Sequence, residues 1–201
     1  SIATAPDGAK TRMPEAEPDE PLTIETAVFE RERNARFGFA ASYPDGWHMQ
    51  TPPANGDGFT VSDPAGSAIE VRAWGSHHMG SEPEHQSTAL SYLLDEQLGF
   101  IDGASSADVE PVEVSVQYVS ADDTVDGFVE GRVVCYSQAG QDGAETVSLL
   151  LTSYCGTDYF QQVSGPEGSE PSVETLAGEL FGQFRILADE EDFERCPFEA
   201  N

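Results

Sequence analysis

The stretch from Val125 to Tyr154 constrains the fold more than any other part of the chain. Apolar and polar residues alternate in it over two long segments, Val125–Gln138 and Glu145–Tyr154, on either side of a glycine-containing turn at 139–143. Alternation with a period of two around such a turn predicts a long antiparallel hairpin. Alternation also occurs at Val112–Tyr118 and Tyr159–Val163, so we expect a four-stranded sheet in the second half of the chain.

The first half shows shorter alternating segments separated by turn residues. We expect strands over 24–30, 37–41, 59–62 and 68–74, and the turn sequence Asn55–Gly58 lies between the second and third of them. This order is typical of a β-meander.

Two segments have helical rather than alternating spacing. Leucines recur at helical intervals within Ser87–Phe100, and Leu176, Leu180 and Phe184 form an apolar stripe in Ser172–Phe184. Ser172 is the predicted N-cap of the second helix. The order strands, helix, strands, helix predicts an α+β fold in which both helices are free to cover the sheet.

Charge excludes several functional classes. The 201 residues include 9 basic and 37 acidic side chains, for a formal net charge of −28. Nucleic-acid binding requires a basic surface, so it is excluded, and binding to anionic membranes is disfavoured. No apolar run approaches the roughly 20 residues of a membrane helix. The length predicts one domain. A salt-adapted, halophilic-like source and an ordinary acidic exported protein are both consistent with the composition.

Residues 1–22 differ from the rest of the chain. They contain four prolines among acidic and small residues, which is typical of a tether. We therefore expect a leader at 1–22, a domain at 23–187 and a tail at 188–201. The leader favours an exported protein at the periplasmic or another extracytoplasmic face, with any membrane contact made through an N-terminal lipid anchor that has been lost.

A family resemblance follows from the order of these motifs. The run Phe37–Trp47, the turn Gly56–Phe59 and the strand Ala68–Trp74, followed by a helix, long strands and a closing helix, resemble PsbP-like domains over about Thr23–Leu187. That superfamily includes an extrinsic photosystem subunit, a Ran-binding nuclear transport factor and many bacterial envelope lipoproteins. The resemblance implies an α/β/α sandwich, in which two helices cover a central, mostly antiparallel sheet. It also implies a non-catalytic protein that docks on or stabilises a partner.

The histidines are the candidate metal ligands. His77, His78 and His85 lie in one loop with Glu82 and Glu84, and imidazole and carboxylate are ligands of zinc and copper. Their spacing matches no established ligand motif. We interpret the segment as a solvated loop, with an adventitious transition metal as the alternative, and expect no resident cofactor.

Cysteine positions suggest one disulfide. Cys135, Cys155 and Cys196 make an odd number, and an exported chain would pair two of them. Cys135 and Cys155 are out of register across the predicted hairpin. We therefore expect Cys155 to pair with Cys196 and Cys135 to be a small core residue.

Arg132 and two tryptophans are the candidate binding residues. Arg132 lies in the middle of a predicted strand, so we expect a carboxylate partner, with Glu130 the candidate. The alternative for Arg132 is a pocket that binds an anion. Trp47 and Trp74 would line a small-molecule pocket together with the histidines.

No reacting set of residues is evident. The sequence contains neither a Gly-x-Ser-x-Gly elbow nor a phosphate-binding loop. We therefore expect no catalytic residues, and expect a non-catalytic exported domain that binds a protein partner with a basic or neutral docking surface in the cell envelope. The alternatives are a metal- or small-molecule-binding lipoprotein that uses the 75–86 loop, and a cryptic hydrolase. The oligomeric state is left open.

Overall fold

The computed structural model describes residues 21–77, 86–102, 109–120 and 125–189, together with Asp192 and Cys196. Within these ranges two α-helices and ten strands are formed. The helices are α1 (Gln86–Asp102) and α2 (Val173–Phe181). The strands are β1 (Phe29–Asn34), β2 (Phe39–Pro44), β3 (His48–Met49), β4 (Gly58–Ser62), β5 (Glu70–His77), β6 (Val112–Val119), β7 (Val125–Gly140), β8 (Gly143–Tyr154), β9 (Thr157–Pro166) and β10 (Arg185–Leu187).

All ten strands belong to one sheet, in the order β1-β2-β10-β6-β7-β8-β9-β5-β4-β3. The predicted hairpin is β7 and β8, in which Val134 lies opposite Leu149. Every neighbouring pair is antiparallel except β10 and β6, which run parallel. The last strand of the chain therefore lies between β2 and β6 and joins the two halves that the sequence suggested separately.

Alternation along β8 and β9 divides the core between the two faces of the sheet. Leu150 and Val163 point to what we call the inner face, where they pack in one cluster with Leu176 and Leu180 of α2. Leu149, Leu151 and Phe160 point to the outer face, where they pack with Leu90 and Leu93 of α1. Successive side chains of a strand point to opposite faces, so one strand contributes to both clusters.

The predicted α/β/α sandwich is wrong. The described chain is mostly β-structure, because a curled, mixed sheet of ten strands is too wide for one helix on each face to cover it. Curling brings β2 towards β5 and β9: the buried Gln161 donates a hydrogen bond from Nε2 to the carbonyl oxygen of Ser42 at 2.9 Å. Phe39 and Ala41 of β2 consequently share the inner cluster with Phe59 of β4, so the sheet partly packs on itself.

Most predicted elements differ from the structure by a few residues at their ends, and at two places the difference changes the local structure. Residues Ile24–Thr26 form a 3-10 turn instead of the start of a strand, because Ala27 N–H bonds back to the carbonyl of Ile24. Phe184, expected within the last helix, lies beyond the end of α2 and packs in the inner cluster beside β10.

Neither α1 nor α2 has the length and apolar character of a membrane span, a finding that covers the described residues. Residues 1–20 lie outside them, so the leader stays a prediction.

Candidate functional site

His77 is the candidate metal ligand that the structure describes. It ends β5, where its ring centroid lies 4.6 Å from that of Phe37 and its Nδ1 lies 3.1 Å from Thr157 Oγ1. His78 and His85 fall outside the described residues. Among the residues that are described, no three His, Cys, Asp or Glu side chains come together as a metal site. His77 therefore has aromatic and hydroxyl neighbours, and the proposed three-histidine site is not tested.

The two tryptophans do not share a pocket. Trp47 is buried in the inner cluster, whereas Trp74 packs against the outer one. The Trp74 ring stacks on Phe160 with centroids 4.8 Å apart, and the Arg72 guanidinium lies 4.9 Å above it. The sequence could not reveal this separation because it depends on which face each strand position takes.

Arg132 is neutralised by carboxylates. Its Nη2 lies 2.7 Å from Glu130 Oε1, the partner suggested by the sequence, and 3.5 Å from Glu113 Oε1 on the neighbouring strand. The guanidinium also donates to the carbonyl oxygen of Gly131 at 2.9 Å. These contacts account for a half-buried arginine without a bound anion.

The cysteines hold the tail to a hairpin turn. Cys155 and Cys196 form a disulfide with their Cα atoms 5.6 Å apart, and Tyr154 donates its hydroxyl proton to the carbonyl oxygen of Cys196 at 2.9 Å. The expectation that Cys135 is a core residue is wrong, since the Cys135 thiol is exposed. It lies beside the first turn of α2, 3.9 Å from Glu174 Oε1, where the helix does not cover the sheet.

A shallow cavity of about 370 Å³ lies between the turn at 63–67 and the segment 166–170. Its charged lining is Asp63, Glu167 and Glu170, and its described lining includes serines but no histidine. It therefore lacks the serine and histidine pair that would identify the hydrolase alternative.

Three arginines share the outer face near one edge of the sheet, and we call Arg31, Arg33 and Arg185 the arginine patch. Arg31 and Arg33 lie in edge strand β1, opposite Ser42 and Ala40 of β2. Arg185 of β10 lies opposite Ala40 on the other side of β2. Residues directly opposite one another point to the same face, so Arg33 and Arg185 flank a small alanine at roughly 10 Å, two strand spacings.

Positive charge in the patch is only partly compensated. Among the described residues no carboxylate forms an ion pair with Arg31 or Arg185. Arg185 instead donates from Nη1 to the carbonyl oxygens of Gly182 and Phe184, both at 2.9 Å. Burial lowers the pKa of Arg185, and the charge of Arg31 lowers it further. The positive charges of Arg31 and Arg185 therefore repel each other on this face of the sheet.

The other side of β1 is acidic. Glu30 and Glu32 lie opposite Tyr43 and Ala41, on the inner side of the edge. Burial raises the pKa of the Tyr43 hydroxyl, and the charges of Glu32, Glu30 and Asp45 raise it further. The edge strand therefore presents positive charge on one face and negative charge on the other.

Sequence reasoning found only part of the patch. Arg31, Arg33 and Arg36 are neighbours in the sequence, but Arg36 turns away to pair with Asp57 at 2.7 Å. Arg185 was missed because the three-residue strand that carries it inserts between β2 and β6, strands that are far apart in the sequence. The same row of the outer face continues through Gln117 to Phe128, whose side chain is 56% exposed.

Comparison with solved structures identifies the fold. The solution structure of cyanobacterial PsbP (CyanoP) from Synechocystis sp. PCC 6803 matches with a TM-score of 0.51 and 13% identity, over 81% of this chain and 95% of that chain. The chain has a PsbP-like fold. The resemblance seen in the sequence is thereby confirmed for the fold, which at this identity is all that the match shows.

Two further structures resemble this PsbP-like fold. A crystal structure from Bacteroides thetaiotaomicron VPI-5482 has a TM-score of 0.51 and 14% identity, over 79% of this chain and 47% of that chain. LpqN, involved in cell envelope biogenesis of Mycobacterium tuberculosis, has a TM-score of 0.49 and 11% identity, over 83% of this chain and 98% of that one. No protein-family model and no curated protein matches the sequence.

Proposed function

We propose that this chain is a non-catalytic, exported domain that acts by binding a protein partner through the arginine patch. The observation that carries the proposal is the position of Arg31 and Arg185, two arginines without an ion pair in the described structure of a protein with a net charge of −28. In a chain with 37 acidic and 9 basic side chains, carboxylates are abundant enough to pair with every arginine. Arg31 and Arg185, which lie on one face with β2 between them, are instead suited to a ligand from outside.

The chemistry of the patch favours a protein ligand. Arginine is enriched at protein interfaces because its planar guanidinium pairs with carboxylates in defined geometry. The row that leads from Arg185 through Gln117 to the exposed Phe128 adds a polar and an aromatic side chain, the mixture typical of an interface. A charged patch beside an exposed ring can bind both the acidic and the apolar side chains of a partner.

Two observations support export. The disulfide between Cys155 and Cys196 is of a kind that persists in oxidising compartments and is rare in reducing ones. The PsbP-like fold is, by the resemblance stated above, that of envelope lipoproteins as well as of other proteins. Together they favour an extracytoplasmic location.

Site-specific photo-cross-linking tests the binding surface. A benzoylphenylalanine placed at position 128 keeps an exposed aromatic ring in the row that leads to the patch and leaves both arginines intact. It is expected to give a discrete cross-linked species in the source cells, and the added substitutions Arg31→Glu and Arg185→Glu are expected to abolish it. Position 72 is the control, because Arg72 is an exposed strand residue of the outer face away from the patch. Equal cross-linking at 128 and 72, or none at 128, would overturn the proposal.

Thiol labelling tests export independently. Cys135 is exposed and unpaired, so a membrane-impermeant maleimide is expected to label it in intact cells whose outer layers are permeable to the reagent. Cys135→Ser is the control for specificity. Labelling that occurs only after the cytoplasmic membrane is broken would show that the domain is not exported.

A further inference from the structure

Among the described strands, β1 lies at the edge of the sheet and has a strand neighbour on one side. β1 has β2 as its strand neighbour at one end of the sheet. Asp45 N–H bonds to the carbonyl oxygen of Val28 at 2.8 Å. Every second residue after Val28, which means Glu30 and Glu32, therefore directs its backbone groups towards β2. Hydrogen-bonded and non-hydrogen-bonded pairs alternate in an antiparallel ladder. The N–H and C=O groups of Phe29 and Arg31 therefore point away from the sheet.

Side chains on this edge follow the same alternation. Arg31 and Arg33 lie on the outer face, and Glu30 and Glu32 lie on the inner face. All four are exposed. A strand that added to this edge would place its side chains directly opposite these four, at distances where opposite charges attract and like charges repel.

A second copy of this chain does not fit the edge. Antiparallel pairing of two β1 strands about a two-fold axis continues each face of one sheet into the same face of the other. Arginine would then lie opposite arginine on the outer face, and glutamate opposite glutamate on the inner face. Charged edge strands of this kind resist self-association. The same pattern leaves the edge open to a strand with the opposite pattern.

We propose that β1 accepts an added strand from a partner protein, in which acidic and basic residues alternate so that the acidic side chains lie on the arginine patch. This inference rests on the proposed function and names the chemistry of its partner. Such a strand has little net charge, so the overall negative field of the domain does not repel it. Main-chain hydrogen bonds to Phe29 and Arg31 supply affinity, and the two charged faces select the sequence.

A pair of peptides of equal composition provides the probe. The first is a fluorescein-labelled eight-residue peptide in which glutamate and lysine alternate, and the second contains the same residues as a block of glutamates followed by a block of lysines. Both have the same net charge, but the block peptide cannot present acids on one face and bases on the other over its whole length. We expect the alternating peptide to bind about tenfold more tightly in a fluorescence anisotropy titration.

Variants of the protein locate the site. Arg31→Glu is expected to weaken binding of the alternating peptide about fivefold or more, because an attractive pair becomes repulsive. Arg72→Glu is the control for charge and is expected to change affinity less than about twofold, because Arg72 lies in β5, away from this edge. Thermal unfolding of all variants verifies that they fold. Methylation of alternate peptide nitrogens, which removes the main-chain donors, is expected to abolish binding.

The outcomes separate this inference from the proposed function. Equal binding of the alternating and block peptides, or binding that survives methylation, would show charge attraction without strand addition and overturn the inference. Absence of peptide binding, together with cross-linking at position 128, would also overturn it but leave the proposed function standing. Loss of cross-linking at position 128 would remove both.

Discussion

Arg31 and Arg185 lie on the same face of one sheet although they come from opposite ends of the chain. β10 inserts between β2 and β6, which brings Arg185 next to the strand that pairs with Arg31. The charge of Arg31 adds to the effect of burial in lowering the pKa of Arg185. The arginine patch therefore depends on the closing of the sheet by its last strand.

Loss of the disulfide is expected to destabilise the domain. Cys155 and Cys196 are 41 residues apart, and releasing a loop of that length costs about 3–4 kcal/mol in the chain-entropy estimate. We expect the double substitution Cys155→Ser and Cys196→Ser to lower the free energy of unfolding by that amount in a urea titration. Cys135→Ser is the control and is expected to change it by less than about 0.5 kcal/mol, since Cys135 is exposed.

Two glycines are expected to respond in opposite directions to alanine. A Cβ on Gly58 would lie 1.8 Å from the carbonyl oxygen of Ala73, so Gly58→Ala is expected to destabilise the fold by about 1–3 kcal/mol. A Cβ on Gly178 meets nothing within 4 Å on the exposed side of α2, so Gly178→Ala is expected to stabilise it by about 0.5–1 kcal/mol. Thermal melts of both variants measure the difference. Equal effects would contradict the tight packing of β4 against β5.

The cap of α2 provides a third test. The hydroxyl oxygen of Ser172 accepts the backbone N–H of Thr175 at 3.2 Å. Ser172→Ala is expected to cost about 0.5–2 kcal/mol of unfolding free energy, whereas Ser172→Asp retains an acceptor and is expected to cost less. If alanine and aspartate have the same effect in chemical denaturation, the side-chain cap does not stabilise the helix.

Stability is expected to fall at alkaline pH. Burial is the main cause that raises the pKa of Tyr159 in the folded state, whereas an unfolded tyrosine titrates near pH 10. The folded domain therefore holds a proton that the unfolded chain releases, so its contribution is complete below about pH 10 and is lost as the pH rises above it. Urea titrations from pH 8 to about pH 11 measure this loss. Tyr159→Phe is expected to reduce the slope, and an unchanged slope would contradict the assignment.

Much of the fold could be predicted because its signals are local. Alternation predicted the long hairpin of β7 and β8, and Ser172 marked the start of α2. The curl of the sheet is not local, because it depends on contacts such as that of Gln161 with the Ser42 carbonyl. Side-chain exposure was also hard to predict, since Cys135 occupies an apolar position in the pattern but lies where α2 does not cover it.

The candidate site illustrates the same limit. Arg31 and Arg33 are visible as neighbours in the sequence, and their alternation with Glu30 and Glu32 predicts two charged faces once β1 is known to be a strand. Arg185 belongs to the site only through the antiparallel pairing of a three-residue strand with β2. No local pattern in the sequence indicates which strands such a short segment joins.

Residue-resolved amide hydrogen exchange of β1, measured with and without the alternating peptide, tests the account most directly. In the unbound protein the amides of Phe29 and Arg31 point outward and are expected to exchange rapidly. Saturating peptide is expected to slow the exchange of these two amides by about tenfold or more, because an added strand forms hydrogen bonds with them. Unchanged exchange at these amides in the presence of bound peptide, or protection confined to another surface, would contradict the account.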